Sequence, residues 1–214
     1  ANRIMPGSSF DAYIEFDGYS EFMADIMLAL ANNRALTGLY LHSDIVAEAK
    51  TRMPELYRMI DIANKLDKVV SVSERLMKLN SLKYLHERGV QMENPAYIEN
   101  SIVGDEIVMK SHAEMEIGLP EGFVDGYYVH VGRFSPEKNQ LFLLDVLGEL
   151  VQKGCPAKLV FVGDGPERSR IEERVEALGL SSHVFFTGMV QNPYPYIVNS
   201  NGLLLPSLHE GQPI

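Results

Sequence analysis

Arg133 and Lys138 stand five residues apart in the stretch Val131-Gly132-Arg133-Phe134-Ser135-Pro136-Glu137-Lys138-Asn139. A guanidinium offers a planar fork to phosphate oxygens and an ammonium a mobile point charge. An apolar run delivers the chain into the turn at Gly132. Ser135 is of a type that caps a helix, and Pro136 suits the first helical position. The spacing therefore predicts a helix start whose free N–H groups draw an anion toward the two cations. Together they could neutralise a diphosphate without a metal. The plainer reading is a capped helix carrying two surface cations.

Other stretches have the same strand-then-turn form. Val162-Gly163-Asp164-Gly165-Pro166-Glu167-Arg168 opens like a dinucleotide fingerprint, but Arg168 stands where the third glycine belongs. A lone G-x-G argues weakly for a cofactor, and a tight turn explains it as well. In Phe185-Phe186-Thr187-Gly188-Met189-Val190, a strand ends where backbone groups could face a ligand base. In Leu204-Leu205-Pro206-Ser207-Leu208-His209-Glu210-Gly211-Gln212-Pro213, a carboxylate that could accept from sugar hydroxyls precedes a glycine whose amide could approach closely. His42, in Leu41-His42-Ser43-Asp44, sits at the carboxyl end of a strand, where open α/β sheets bind ligands. A structural histidine and a solvated loop acid are the plainer readings of His42 and Glu210.

Several chemistries are missing from the sequence. It has no G-x-x-x-x-G-K-[ST], no H-E-x-x-H, no D-x-D and no G-x-S-x-G. No metal site is therefore expected.

The elements that must position these residues follow from hydrophobic period. Strands are expected at Tyr13–Phe16, Leu36–Leu41, Asp67–Val72, Tyr127–Val131, Lys158–Val162, His183–Thr187 and Gly202–Leu205. Helices are expected at Tyr19–Asn32, from Pro54 to Leu66, and from Glu74 to Glu87 with a left-handed cap near Gly89. Three more follow at Pro136–Gln152, Glu167–Leu178 and Pro193–Val198. Between Gln91 and His112 the pattern weakens, with short strands expected at Ala96–Ile98 and Glu106–Met109. The Gly- and Pro-bearing run Ile117–Gly122 reads as a boundary, giving domains 1–118 and 119–214. Apolar strands separated by amphipathic helices imply parallel sheets.

The chain has 214 residues and a formal charge of −10, which argues against binding nucleic acid through its overall field. One cysteine, Cys155, rules out an internal disulfide framework. Residues 50–88 carry nine basic against five acidic side chains, a local +4. Because the charges are mixed, that segment reads as two solvated helix faces. The alternative is a peripheral surface for anionic lipid or a phosphate-bearing acceptor. The expected setting is the cytoplasm, with the inner membrane face as that alternative. The termini suggest a piece of a longer protein.

Taken in order, Gly132-Arg133-Phe134-x-x-Glu137-Lys138-Asn139, Gly163-Asp164-Gly165-Pro166-Glu167, Phe186-Thr187-Gly188 and Ser207-x-x-Glu210-Gly211 resemble one family. It is the retaining nucleotide-sugar glycosyltransferases of family 4. The first half is similar to the later part of the family's acceptor domain, through Phe10-Asp11-x-x-Ile14-x-Phe16-x-Gly18-Tyr19, Tyr40–Asp44 and Val70–Ser73. It leans toward members that build bacterial cell-envelope glycopolymers.

The resemblance implies a GT-B fold of two Rossmann-like parallel-sheet domains, both incomplete in this chain. It implies transfer from a nucleotide-diphosphate-sugar to a glycan, polyol-phosphate or lipid-linked acceptor, with retention and no cofactor. Arg133 and Lys138 would hold the diphosphate at Gly132 and Gly163, and Gly188, Met189 and Val190 would border the base. Glu210 would open the E-x7-E motif, with Gly211 and Gln212 near the donor sugar, and His42 would contact the donor sugar or its reacting centre. Breaking a sugar–phosphate bond builds negative charge on the diphosphate, which preorganised cations stabilise. The second acid of E-x7-E would fall beyond Ile214, so the chain as given is expected to be inactive. The competing expectations are a nucleotide-sugar epimerase of the same fold and a non-catalytic nucleotide-binding fragment.

Overall fold

The computed structural model describes residues 10–16, 18, 20–31, 35–51, 53–155, 157–208 and 210–211. The chain divides into two compact units, Ala1–Ile102 together with Glu210–Ile214, and Val103–His209.

In the first unit, Leu36–Leu41 is buried at five of its six residues, whereas the edge strands Ala12–Glu15 and Pro95–Tyr97 are largely exposed. β1 (Ala12–Glu15), β2 (Leu36–Leu41), β3 (Lys68–Ser71) and β4 (Pro95–Tyr97) pair in parallel in that order. Helices α1 (Glu21–Ala31), α2 (Ile45–Thr51), α3 (Tyr57–Ile62) and α4 (Glu74–Arg88) supply the crossovers. Met27, Leu39, Ile45, Met59, Val69 and Tyr84 share one core. Ser73 caps α4 by accepting from the Leu76 amide at 3.2 Å, and Gly89 closes it in the left-handed region as its position foretells. The helix expected from Pro54 to Leu66 is instead short α3 between two 3-10 turns, Pro54–Leu56 and Ala63–Lys65. Tightened ends are how a short helix satisfies its terminal groups.

The expected strand at Glu106–Met109 is corrected to a helix, α5 (Gly104–Ser111). Ile107 and Val108 look strand-like. The acids at 105 and 106 and Lys110 complement the helix dipole, however, and Glu106 pairs with Lys110 at 2.6 Å. The boundary expected at 118/119 falls instead at 102/103. Residues 110–117 are bonded to the second unit: Asn192 Nδ2 donates to the Lys110 carbonyl at 2.8 Å. The Tyr196 hydroxyl donates to the Ile117 carbonyl and accepts from its amide, at 2.9 and 2.8 Å.

The second unit contains β5 (Tyr128–Val131), α6 (Gln140–Gln152), β6 (Leu159–Val162), α7 (Arg168–Ala177), β7 (Val184–Gly188), α8 (Tyr194–Val198) and β8 (Gly202–Leu203). Its parallel sheet has the order β7-β6-β5-β8. One face packs Phe161 and Leu159 against Leu144 and Ile171 of α6 and α7. The other packs Val129 and Val160 against Phe123 and Tyr196. Winding runs outward from β5 to β7, then reverses to place β8 on the other side of β5. That reversal creates a topological switch point between β5 and β8, the position where open α/β sheets bind ligands.

Candidate active site

Two turns flank the switch point. One follows β5 and carries Gly132 and Arg133; the other follows β8 and leads through Leu204–Leu208 toward Glu210. A pocket of about 620 Å³ opens at the carboxyl ends of β5, β6 and β7. Its wall includes Gly132, Arg133, Gly163, Asp164, Met189 and Val190.

The turns forming the pocket floor are bonded to one another. The Gly132 amide donates to the Val162 carbonyl at 3.0 Å, and the Phe134 amide to the Asp164 carbonyl at 2.9 Å. The Gly163 amide donates to the Gly188 carbonyl at 2.9 Å. This packing explains the G-x-G. Gly163 has φ +133°, and a Cβ there would overlap the Gly132 carbonyl; one at Gly165 would overlap Phe134 backbone. The glycines let two turns touch, a requirement separate from any cofactor. Arg168, in the third-glycine position, lays its guanidinium over the Phe186 ring at 4.3 Å and pairs with Glu172.

Arg133 is exposed and stands on the pocket wall. Lys138 runs its stem beside Gly132, with Cδ 3.9 Å from where a Cβ on that glycine would sit. The capped helix start expected here is corrected. Ser135 Oγ makes no cap bond and donates to the Glu137 carboxylate at 2.7 Å. Pro136–Lys138 is a 3-10 turn, closed by Asn139 at φ 56°, and α6 begins only at Gln140. Asn tolerates the left-handed region, and its Nδ2 donates to the Pro206 carbonyl at 3.3 Å. The α6 N-terminus therefore lies four residues beyond Pro136.

A second group of expected residues gathers in the first unit. His42 follows β2 directly, and its Nε2 lies 2.8 Å from the Phe16 carbonyl. A carbonyl only accepts, so Nε2 carries a proton, and in the neutral ring Nδ1 carries the lone pair. Phe16 and Tyr40 hold the imidazole edge-on and tilted, each at 5.1 Å. Gly211 lies against this turn. A Cβ there would overlap the His42 carbonyl and meet Val72 Cγ2 at 3.0 Å, and Ser73 Oγ donates to the Gly211 carbonyl at 3.2 Å. Glu210 is exposed and belongs to the same unit. Gln212 lies outside the described residues.

The structure thus collects Gly132, Arg133, Lys138, Gly163, Gly188, Met189 and Val190 at one sheet end, and His42, Glu210 and Gly211 in the other unit. Sequence reasoning missed Asn80, which is 1% exposed. It accepts from the Ile45 amide at 3.3 Å and donates to the Ser43 carbonyl at 3.2 Å, fixing the turn that carries His42. The available signal was an amide four residues from both Leu76 and Tyr84, in phase with a buried helix stripe.

Among the described residues of 50–88, Lys50 is ion-paired with Glu87, Arg58 with Asp25, Lys78 with Glu74, Lys83 with Asp44 and Arg88 with Asp61. That pairing favours solvated helix faces. No helix among the described residues is long and apolar enough to cross a membrane.

Two four-stranded parallel α/β sheets, the second with a pocket beside a switch point, define the GT-B architecture. S. aureus TarM, crystallised with UDP, fondaparinux and alpha-GlcNAc-glycerol, superposes with a TM-score of 0.64 at 21% identity, over 86% of this chain and 34% of that one. Anabaena Alr3699/HepE, crystallised with UDP and glucose, gives 0.64 at 18% identity, over 88% and 51%. Residues 126–214 match the family described as Glycosyl transferases group 1. An uncharacterized glycosyltransferase of Methanocaldococcus jannaschii, MJ1059, is 30% identical over 51% of this chain and 27% of its own length. The capsular polysaccharide biosynthesis glycosyltransferase CapH of Staphylococcus aureus is 36% identical over 40% and 25%. The 2-deoxystreptamine N-acetyl-D-glucosaminyltransferase of Niallia circulans is 26% identical over 69% and 42%. The chain therefore spans less than half the length of each of these curated relatives.

Proposed function

We propose that the protein acts in transferring a sugar from a nucleotide-diphosphate-sugar to a glycan, polyol-phosphate or lipid-linked acceptor, without a metal and with retention at the anomeric carbon. The observation that carries this reading is the placement of Arg133, with Lys138 beside Gly132, at the switch point of the second sheet and on the wall of its pocket. The two cations grip the diphosphate and stabilise the charge that develops on it as the sugar departs. Gly132 and Gly163 keep the backbone out of the way, while Gly188, Met189 and Val190 border the base. Glu210, Gly211 and Gln212 serve the donor sugar, and His42 reaches the reacting centre. Support for transfer over epimerisation comes from the relatives, which are named as transferases. Retention rests on the family resemblance alone. Independence from a metal is supported by the cation pair and by the missing D-x-D.

Calorimetric titration with UDP, GDP and CDP tests the reading. One of the three should bind, and Arg133→Ala or Lys138→Ala should each weaken it by about 10- to 100-fold, the worth of one charge-assisted hydrogen bond. With the matching nucleotide sugar, transfer in the active polypeptide should fall by about 100-fold for each variant. Absence of heat with all three nucleotides, or full transfer by both variants, would reject the proposal.

A further inference from the structure

His130 and Gln140 are 0% and 2% exposed. Burying an imidazole and an amide is costly unless their polar atoms are paired. Here the pairing is directional and each link fixes the next. The Arg133 carbonyl can only accept, so the Gln140 group 2.8 Å from it is the amide nitrogen, Nε2. The same nitrogen lies 3.2 Å from His130 Nε2. A donor facing that ring nitrogen makes it the lone-pair side, which puts the proton on Nδ1. Nδ1 in turn lies 2.9 Å from the Leu204 carbonyl and donates to it. One polar chain thus runs from the Arg133 turn through Gln140 and His130 to the segment after β8, across the switch point.

We propose that His130 and Gln140 are positioning residues that lock the Arg133 turn to the Leu204–Leu208 segment, so that the two sides of the switch point keep one register. The functional part rests on the reading of Arg133 as a diphosphate-holding residue; the mechanical link does not. The lock fixes the direction of the Arg133 carbonyl, and with it the origin of the side chain. Two neighbouring bonds act in the same sense: Asn139 Nδ2 to the Pro206 carbonyl at 3.3 Å and the Leu208 amide to the Glu137 carbonyl at 2.9 Å. Neither reaches the Arg133 carbonyl.

The test uses the whole chain and two variants. Gln140→Met keeps the shape and removes both donors. His130→Asn shortens the side chain and cuts the link to Gln140, and it serves if the first variant does not fold. Hydrogen–deuterium exchange needs no ligand. Each variant should exchange faster at both 132–135 and 204–208, although Gln140 bonds only the first turn, while β6 and β7 stay protected. Faster exchange at 132–135 alone, or uniformly across the second unit, overturns the link.

The second readout is the affinity ratio between a nucleoside diphosphate and the monophosphate of the same base. It should fall by about 10-fold in Gln140→Met, short of the roughly 100-fold that a 1 Å misplacement can cost. It should be unchanged in Leu147→Met, which alters only the core. An unchanged ratio in Gln140→Met overturns the positioning role. If the unmodified protein binds no nucleotide, the proposed function fails, and exchange decides the mechanical link by itself.

Discussion

At the scale of single residues, the decisive feature of the second unit is how little room its turns leave. Gly163 combines a positive φ with a Cβ direction that points into the Gly132 carbonyl. Gly163→Ala must therefore adopt a strained backbone and push the Gly132-Arg133 turn away. Strain of this kind costs on the order of 1–3 kcal/mol. Urea unfolding of the second unit should shift by about that amount, and affinity for the diphosphate should be lost along with it. Retained affinity would show that the turn yields without moving Arg133. The G-x-G could be read in the sequence as a turn, but its partner could not. Nothing in Val162–Arg168 says that the glycines face another loop instead of a phosphate. The same limit hid Gly211, whose neighbour His42 is 169 positions away in the sequence.

At the scale of elements, strands were legible and their endings less so. Leu36–Leu41 and the three long strands of the second half are short apolar runs between turn residues, and that pattern survives any tertiary context. Helix ends depend on local competition. Pro136 signals a start, but Asn139 takes the left-handed region and delays α6 to Gln140. Helix α2, seven residues long, spans only about two turns, less than the window in which a helical period stands out.

The segment 103–118 joins the second unit through groups that sequence cannot pair, chiefly the Tyr196 hydroxyl and the Asn192 amide. Burial pushes the Tyr127 phenol up to about 12, and its hydroxyl donates to the Tyr196 carbonyl at 2.7 Å. A phenol raised above its unfolded value near 10 stabilises the fold below that pH, and the contribution is lost as pH climbs toward 12. Tyr127→Phe should cost about 1 kcal/mol at pH 7 by urea titration and flatten part of the fall in stability between pH 10 and 12.

In the first unit the sign reverses. The Thr37 amide and hydroxyl, at 2.8 and 2.9 Å, hold the Asp67 carboxyl below its ordinary value. That contribution is present above the unfolded value near 4 and disappears as pH drops through the lowered folded value. Asp67→Ala should lower the melting temperature at pH 7 and have little effect near pH 2. An equal effect at both pH values would assign the loss to packing.

At the scale of the whole molecule, the two units carry separate cores, one built on β2 and β3 and the others on the two faces of β5 and β6. The pocket belongs wholly to the second. A ligand stabilises what it binds, by about 2.7 kcal/mol at a free concentration 100 times its dissociation constant. If the strand-end pocket is where the nucleoside diphosphate sits, that energy enters the second unit alone. Saturation with the diphosphate that binds should slow amide exchange in β5, β6, β7 and α6 and leave β2, β3 and α4 at their unliganded rates. Because linkage acts on the unit that holds the ligand, slowing in β2 and β3 without change in β5 and β6 would move the nucleotide to the carboxyl ends of the first sheet. Arg133 and Lys138 would then be left as surface cations.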